Sequence, residues 1–174
     1  MIQERLRSHP DIHRLSPSTG LQTIRLIMYV DRAGSVHILF CALKLIPGER
    51  VVDNFASGQH GNLSLEVDVD SGRVKNGVMR DPDRGVLADV SRYPGTGKDL
   101  RGITIPSWEE TRQLAIRAAK EFFPVRAIGW DIAPTADGPR LIEGNMWFDA
   151  PPIRGNSGAP VPFDRISRDA LEPG

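Results

Sequence analysis

The sequence has few of the features that tie a protein to an oxidising compartment, a membrane or nucleic acid. Its single cysteine, Cys41, cannot form an internal disulfide and stands in an apolar run typical of a core. The 22 basic residues balance 22 acidic ones, so no overall charge attracts nucleic acid. The N-terminus has no secretory pattern, and no stretch is long and apolar enough to span a bilayer. These absences favour a cytoplasmic protein that holds charged ligands by local groups.

Two β-hairpins are predicted in the first half of the chain. The apolar runs 23–30 and 35–46 are joined by the turn-forming tetrapeptide "DRAG". Residues 62–70 alternate apolar and polar side chains, and "SG" then leads into 73–79, which predicts a second hairpin. Residues 80–102 are crowded with Gly, Pro and Asp, and we expect a long surface loop there.

One helix is predicted between the hairpins and the last strands. Ser107 and Glu110 have the spacing of a capping box, and apolar residues recur at helical spacing from Trp108 to Phe122. Pro124 then ends the pattern. The helix is expected to pack on one face of the sheet.

The chain ends with a third hairpin and a tail. Residues 129–145 form the hairpin, and residues 149–174 are rich in Pro, Gly and charge, as in a surface or disordered tail. The predicted fold is therefore α+β, an antiparallel sheet of hairpins with a packed helix, within one domain over residues 1–148.

The third hairpin brings polar side chains together. If its turn is centred on Asp137, Asp131 lies opposite Glu143. If the turn is centred on Gly138, Asp131 lies opposite Asn145. Directly opposed residues in an antiparallel pair have Cβ atoms about 4.5–5.5 Å apart, so either register places the three side chains side by side.

Two facing carboxylates repel each other, and a cation between them reverses the sign of that interaction. Carboxylate and amide oxygens suit a hard ion such as Mg²⁺ or Mn²⁺ and argue against zinc. Mg²⁺ takes only one or two protein carboxylates and completes its shell with water and substrate phosphates. The alternative is a solvated strand end whose acids meet Arg126, Arg140 or water.

The segment "IGWDIAPTADGPRLIEGN" resembles the closing strands of ATP-grasp enzymes, in which an acidic residue and a Glu-x-Asn motif hold magnesium. The similarity continues upstream through "TIRL", "CALKL" and "VDNFASG". It is closest to an ATP-grasp group named for its association with sugar transfer, next to the glutamate-ligase-like branch. The resemblance spans about residues 1–145 and implies ATP and Mg²⁺ or Mn²⁺ as cofactors, with Asp131, Glu143 and Asn145 as metal ligands.

The resemblance also implies roles for other residues. Arg25 and Lys44, on neighbouring strands, would neutralise the transferring phosphoryl group, and exposed strand charges are the alternative for both. Gln3 and Glu4 lie in a segment that resembles the hinge strand contacting adenine. Asn54, in a Gly-containing loop, would bind phosphate or the acceptor.

Because the resemblance starts at the hinge strand, the chain is expected to be the C-terminal, catalytic half of an incomplete ATP-grasp fold. The implied reaction activates a small-molecule carboxylate as an acyl phosphate and transfers it to an amine, with a link to sugar or cell-surface biosynthesis. An N-terminal-half partner chain or a homo-oligomer would complete the cleft. The alternative is a truncated, non-catalytic binding module that keeps the fold.

Overall fold

The computed structural model describes residues 5–48, 55, 60–94 and 96–148. Within these residues, seven antiparallel strands form one sheet in the order β5-β4-β3-β2-β1-β6-β7. The strands are β1 Ile24–Val30, β2 Val36–Leu45, β3 Leu63–Val67, β4 Val74–Arg80, β5 Leu87–Val90, β6 Ala127–Thr135 and β7 Gly138–Asn145. The helices are α1 Pro10–Leu15 and α2 Trp108–Glu121. The predicted α+β class is confirmed, whereas the short helix α1 had not been predicted.

The three predicted hairpins are β1–β2, β3–β4 and β6–β7. The β3–β4 turn depends on Gly72, which adopts a positive φ of 70°. A Cβ atom at this position would lie 2.3 Å from Cγ of Trp108, at the start of α2. The turn therefore packs directly against the helix, and this contact excludes a side chain at Gly72.

The expectation of a long loop over residues 80–102 is wrong in one part. Leu87–Val90 form the edge strand β5, which pairs with β4 from Gly77↔Val90 to Arg80↔Leu87. The sequence did not indicate this strand, because four residues are too few to show an alternating apolar pattern. Gly, Pro and Asp residues on both sides of it favoured a loop instead. Backbone hydrogen bonds to the edge of β4 stabilise β5, although its own sequence has no strand pattern.

Helix α2 has the predicted extent, but the predicted capping box does not form. Ser107 adopts the left-handed conformation, φ 51° and ψ 42°, and its side chain makes no capping hydrogen bond. Its carbonyl oxygen instead accepts hydrogen bonds from the backbone N–H and the hydroxyl of Thr111. Phe122, predicted on the buried face, is 52% exposed and packs edge-on against Trp130.

The sheet has two different faces. One face packs against α2 and α1 around Leu26, Leu43 and Trp130, which belong to the main core cluster. The other face carries a small cluster around Ile27, Tyr29 and Leu39. The charged residues Arg25, Lys44 and Asp131 contact one another, and they alternate along their strands with residues of the main core. The two helices of the described residues therefore pack on one side of the sheet, and the charged triad lies on the opposite side.

The two turn glycines Gly72 and Gly34 provide a matched test of this packing. Both have positive φ, yet nothing lies within 4 Å of a Cβ atom at Gly34. Gly34→Ala should carry only the left-handed backbone penalty, about 1–2 kcal/mol. Gly72→Ala adds an overlap with Trp108 and should lose about 1–3 kcal/mol more. Urea unfolding followed by circular dichroism measures both, and equal losses would contradict the packing described.

Candidate functional site

The β6–β7 hairpin places the predicted metal ligands on one face. Asp131 lies opposite Glu143, and Gly129 lies opposite Asn145. Nearer the turn, a register shift between Asp131 and Ile132 leaves one extra residue in β7. At the site, the observed pairing is therefore the one predicted for a turn centred on Asp137. Directly opposed residues share a face, so the side chains of Asp131, Glu143 and Asn145 project together.

Asp131 forms an ion triad with the two cations that the sequence placed on the first hairpin. Nε and Nη2 of Arg25 donate to the two carboxylate oxygens at 2.6 and 3.0 Å. Nζ of Lys44 donates to Oδ2 at 3.0 Å. The sheet order explains the contact, because β1 lies between β2 and β6 and Arg25 is directly opposite Asp131. Lys44 is 6% exposed and Asp131 is 4% exposed, so neither is a solvated strand charge.

The electrostatics of the triad favour an ionised Asp131. Burial raises the pKa of this carboxyl, but the hydrogen bond from Arg25 and the charges of Lys44 and Arg25 outweigh it. The net result is a pKa below the ordinary value of Asp. Two cations from neighbouring strands thus converge on one ionised carboxylate.

Glu143 and Asn145 form a more accessible pair beside the triad. Nδ2 of Asn145 donates to Oε1 of Glu143 at 2.9 Å, and Glu143 is exposed. In the part of the chain that the structure describes, no cation lies within 4.0 Å of the Glu143 carboxylate. Arg126, one of the partners considered for these acids, instead donates to the carbonyl oxygen of Val30 and stacks on the ring of Tyr29.

The donor set is compatible with magnesium. The described residues contain no cluster of three or more His, Cys, Asp or Glu side chains placed to hold a metal. Two carboxylates and one amide are nevertheless the kind of incomplete oxygen shell that Mg²⁺ completes with water and phosphate oxygens. Asp131 can serve as a ligand only if Arg25 and Lys44 give up some of their hydrogen bonds to it.

Two residues that the sequence did not single out also line this face. A Cβ atom at Gly129 would lie 3.2 Å from Cβ of Phe148 and 3.4 Å from Cδ of Arg25. Phe148 therefore packs over the β6 backbone next to the triad. A glycine inside a strand often marks such a close approach, and this was the available signal. The predicted ligands Gln3, Glu4 and Asn54 lie outside the described residues.

The triad changes the expected effect of removing Asp131. Two facing carboxylates should repel when no metal is bound, but Arg25 and Lys44 already compensate Asp131. Asp131→Asn removes the carboxylate charge that accepts hydrogen bonds from both cations, and we expect a loss of about 3 kcal/mol at pH 7. Glu143→Gln, at an exposed position, should change stability by less than about 0.5 kcal/mol. Urea denaturation of the three proteins measures these differences.

The same comparison has a defined pH dependence. A carboxyl with a lowered folded pKa contributes stability above its unfolded pKa of about 3.9. That contribution is lost as pH falls through the lower folded pKa, so the gap between wild type and Asp131→Asn should shrink below about pH 4. A variant as stable as wild type at pH 7 would contradict the triad.

Comparison with known proteins gives one result. The family model described as sugar-transfer associated ATP-grasp matches residues 1–158. Searches of curated proteins and of solved structures find no match to the chain. Neither helix of the described residues has the length and apolar content that a membrane crossing requires. The match covers most of the 174 residues and includes the ion triad and the Glu-x-Asn strand. The chain therefore belongs to the sugar-transfer associated ATP-grasp family, which indicates an ATP-binding, ligase-like function.

Proposed function

We propose that this chain binds ATP with Mg²⁺ or Mn²⁺ on the face of its sheet opposite α1 and α2 and contributes catalytic groups to an ATP-dependent ligase. The observation that carries the proposal is the largely buried triad of Arg25, Lys44 and Asp131, joined by hydrogen bonds of 2.6–3.0 Å. Cations from two neighbouring strands converge there on one carboxylate. Such a cluster of charged groups on a largely buried face supports a functional site, and its guanidinium and ammonium groups are the kind that bind phosphate.

The residues divide into two roles. The guanidinium of Arg25 and the ammonium of Lys44 would orient the terminal phosphate of ATP and stabilise the charge that develops during transfer. Asp131, Glu143 and Asn145 would hold the metal ion, which neutralises phosphate charge when bound. Phe148 and Arg25 both lie against the backbone of Gly129, so an apolar ring stands close to the charged groups of the triad.

The reaction that the family membership supports is carboxylate activation. A carboxylate oxygen of a small-molecule substrate attacks the terminal phosphorus of ATP, which forms an acyl phosphate and releases ADP. An amine or similar nucleophile then attacks the acyl carbon, and inorganic phosphate leaves. The two cations of the triad act on the first step, in which negative charge concentrates on the transferring group.

Several finer assignments belong to the same proposal. Gln3 and Glu4 would contact adenine, and Asn54 would contact phosphate or the acceptor, as the family resemblance implies. We place the reaction in the cytoplasm and connect it to sugar or cell-surface biosynthesis through the family description. A partner chain or a second copy would close the cleft over the nucleotide.

A second candidate function is supported by a different observation. Leu141 and Ile142 of the edge strand are 38% and 41% exposed, and Met146 and Trp147 beyond it are 62% and 94% exposed. Exposed apolar surface of this kind is typical of a protein interaction site. The chain would then be a non-catalytic binding module that retains the fold, and nucleotide binding separates the two candidates.

The proposed function predicts a joint effect of metal and nucleotide on thermal stability. A ligand that binds only the folded state adds about 2.7 kcal/mol at a hundredfold excess over its Kd. We expect the melting temperature to rise with millimolar Mg²⁺ and ATP together, and to rise less with either one alone. Differential scanning fluorimetry measures this shift.

Matched variants assign the shift to the site. Glu143→Gln removes a proposed metal ligand at an exposed position, and the joint shift should disappear. Glu121→Gln, at the exposed end of α2, should keep the full shift. If wild type shows no joint shift at millimolar ligand, the nucleotide assignment fails and the binding-module alternative takes its place.

A further inference from the structure

Asp131 is fully engaged by protein groups. Its two oxygens accept three hydrogen bonds from Arg25 and Lys44, and the residue is 4% exposed. A carboxylate has about four lone-pair sites, so little acceptor capacity is left for a metal ion. The adjacent guanidinium and ammonium groups also repel an approaching cation. A divalent metal arriving alone therefore finds Asp131 blocked, with Glu143 as the accessible carboxylate.

An anion is attracted by the two cations that repel a metal ion. The Arg25 side chain is 23% exposed, whereas those of Lys44 and Asp131 are 8% and 6% exposed. Arg25 is thus the member of the triad that solvent reaches most easily. The guanidinium fork matches a phosphate group as well as it matches a carboxylate, and a lysine ammonium can serve the same phosphate. A tetrahedral dianion can therefore compete with Asp131 for hydrogen bonds from both cations.

We propose that Asp131 is a place-holding counter-ion, which pairs with Arg25 and Lys44 until a phosphate dianion takes both cations and releases the carboxylate to a divalent metal. This inference rests on the proposed function and adds an order of events to it. Before exchange, Asp131 keeps the two cations charged and oriented. After exchange, Asp131 and Glu143, directly opposed on β6 and β7, face the metal together.

The exchange makes metal affinity depend on the anion. Each ligand must strengthen binding of the other by the same factor, because coupling free energy is reciprocal. The exchange also predicts how removal of one cation changes the affinity for metal. Lys44→Met takes one competing partner away from Asp131, so metal should bind this variant more tightly in the absence of an anion, and the anion should then add little.

The test measures Mn²⁺ binding by the electron paramagnetic resonance signal of free Mn²⁺, with sulfate as a non-transferable tetrahedral dianion. The full chain is titrated with and without millimolar sulfate, at ionic strength matched with chloride, after correction for the manganese sulfate ion pair. We expect sulfate to lower the Kd of Mn²⁺ by about fivefold or more in wild type. Lys44→Met should show a lower Kd without sulfate and lose the sulfate effect.

Lys75→Met is the matched control. Lys75 is a lysine of β4 that pairs with Glu66 and Asp68, and its side chain is 47% exposed. The same charge change at this position should leave the sulfate effect at its wild-type size. A sulfate effect that Lys75→Met abolishes as completely as Lys44→Met would overturn the inference, because general charge would then explain the coupling.

A measurement on the wild-type protein does not depend on the correct folding of a variant. The Nε–H resonance of Arg25 in wild type, which reports its hydrogen bond to Asp131, should shift on addition of sulfate without metal. An unchanged resonance, or a Kd of Mn²⁺ that sulfate does not alter, overturns the exchange. If Mg²⁺ and ATP still raise the melting temperature in that case, the proposed function stands and only the place-holding role fails.

Discussion

The carboxylate of Asp131, held between the cations Arg25 and Lys44, is the interaction on which the rest of the site depends. Burial alone would favour a neutral Asp131, and each cation would lose favourable hydration without a counter-ion. Together they keep three charges on a largely buried sheet face. The arrangement brings a guanidinium and an ammonium group from neighbouring strands to one point of this face, and both groups are suited to phosphate.

The fold supplies this interaction through strand order. β1 lies between β2 and β6, so three neighbouring strands each contribute one charge. The helices pack on the opposite face, where Leu26, Leu43 and Trp130 are buried. One extra residue in β7 lies between the pairs Ile132↔Leu141 and Asp131↔Glu143, and this extra residue places Glu143 opposite Asp131. The charged side chains and the main core therefore lie on opposite faces of the sheet.

Much of the local structure could be predicted from the sequence. The DRAG turn, the alternation through β3 and the apolar period of α2 are patterns over a few residues, and the structure has the corresponding elements. The pairing of Asp131 with Glu143 was one of two predicted registers. Such features depend on contacts between residues close in the chain, and periodicity and turn chemistry report these contacts directly.

Other features could not be predicted because they depend on distant contacts. Arg25 and Asp131 are 106 residues apart, and only the pairing of β1 with β6 brings them together. Strand β5 forms on the edge of β4 despite a sequence rich in turn residues. Ser107 has good capping chemistry, yet it adopts a left-handed conformation at the start of α2. Patterns over a few residues carry no information on which strands pair, and a local preference can be overridden in the folded chain.

A crystal structure of the chain with Mg²⁺ and a non-hydrolysable ATP analogue would show whether the triad binds phosphate. We expect terminal phosphate oxygens at about 3 Å from the guanidinium of Arg25 and the ammonium of Lys44. We also expect the metal between Asp131 and Glu143. An analogue bound elsewhere, with the hydrogen bonds from Arg25 and Lys44 to Asp131 unchanged, would show that the triad is not a phosphate site.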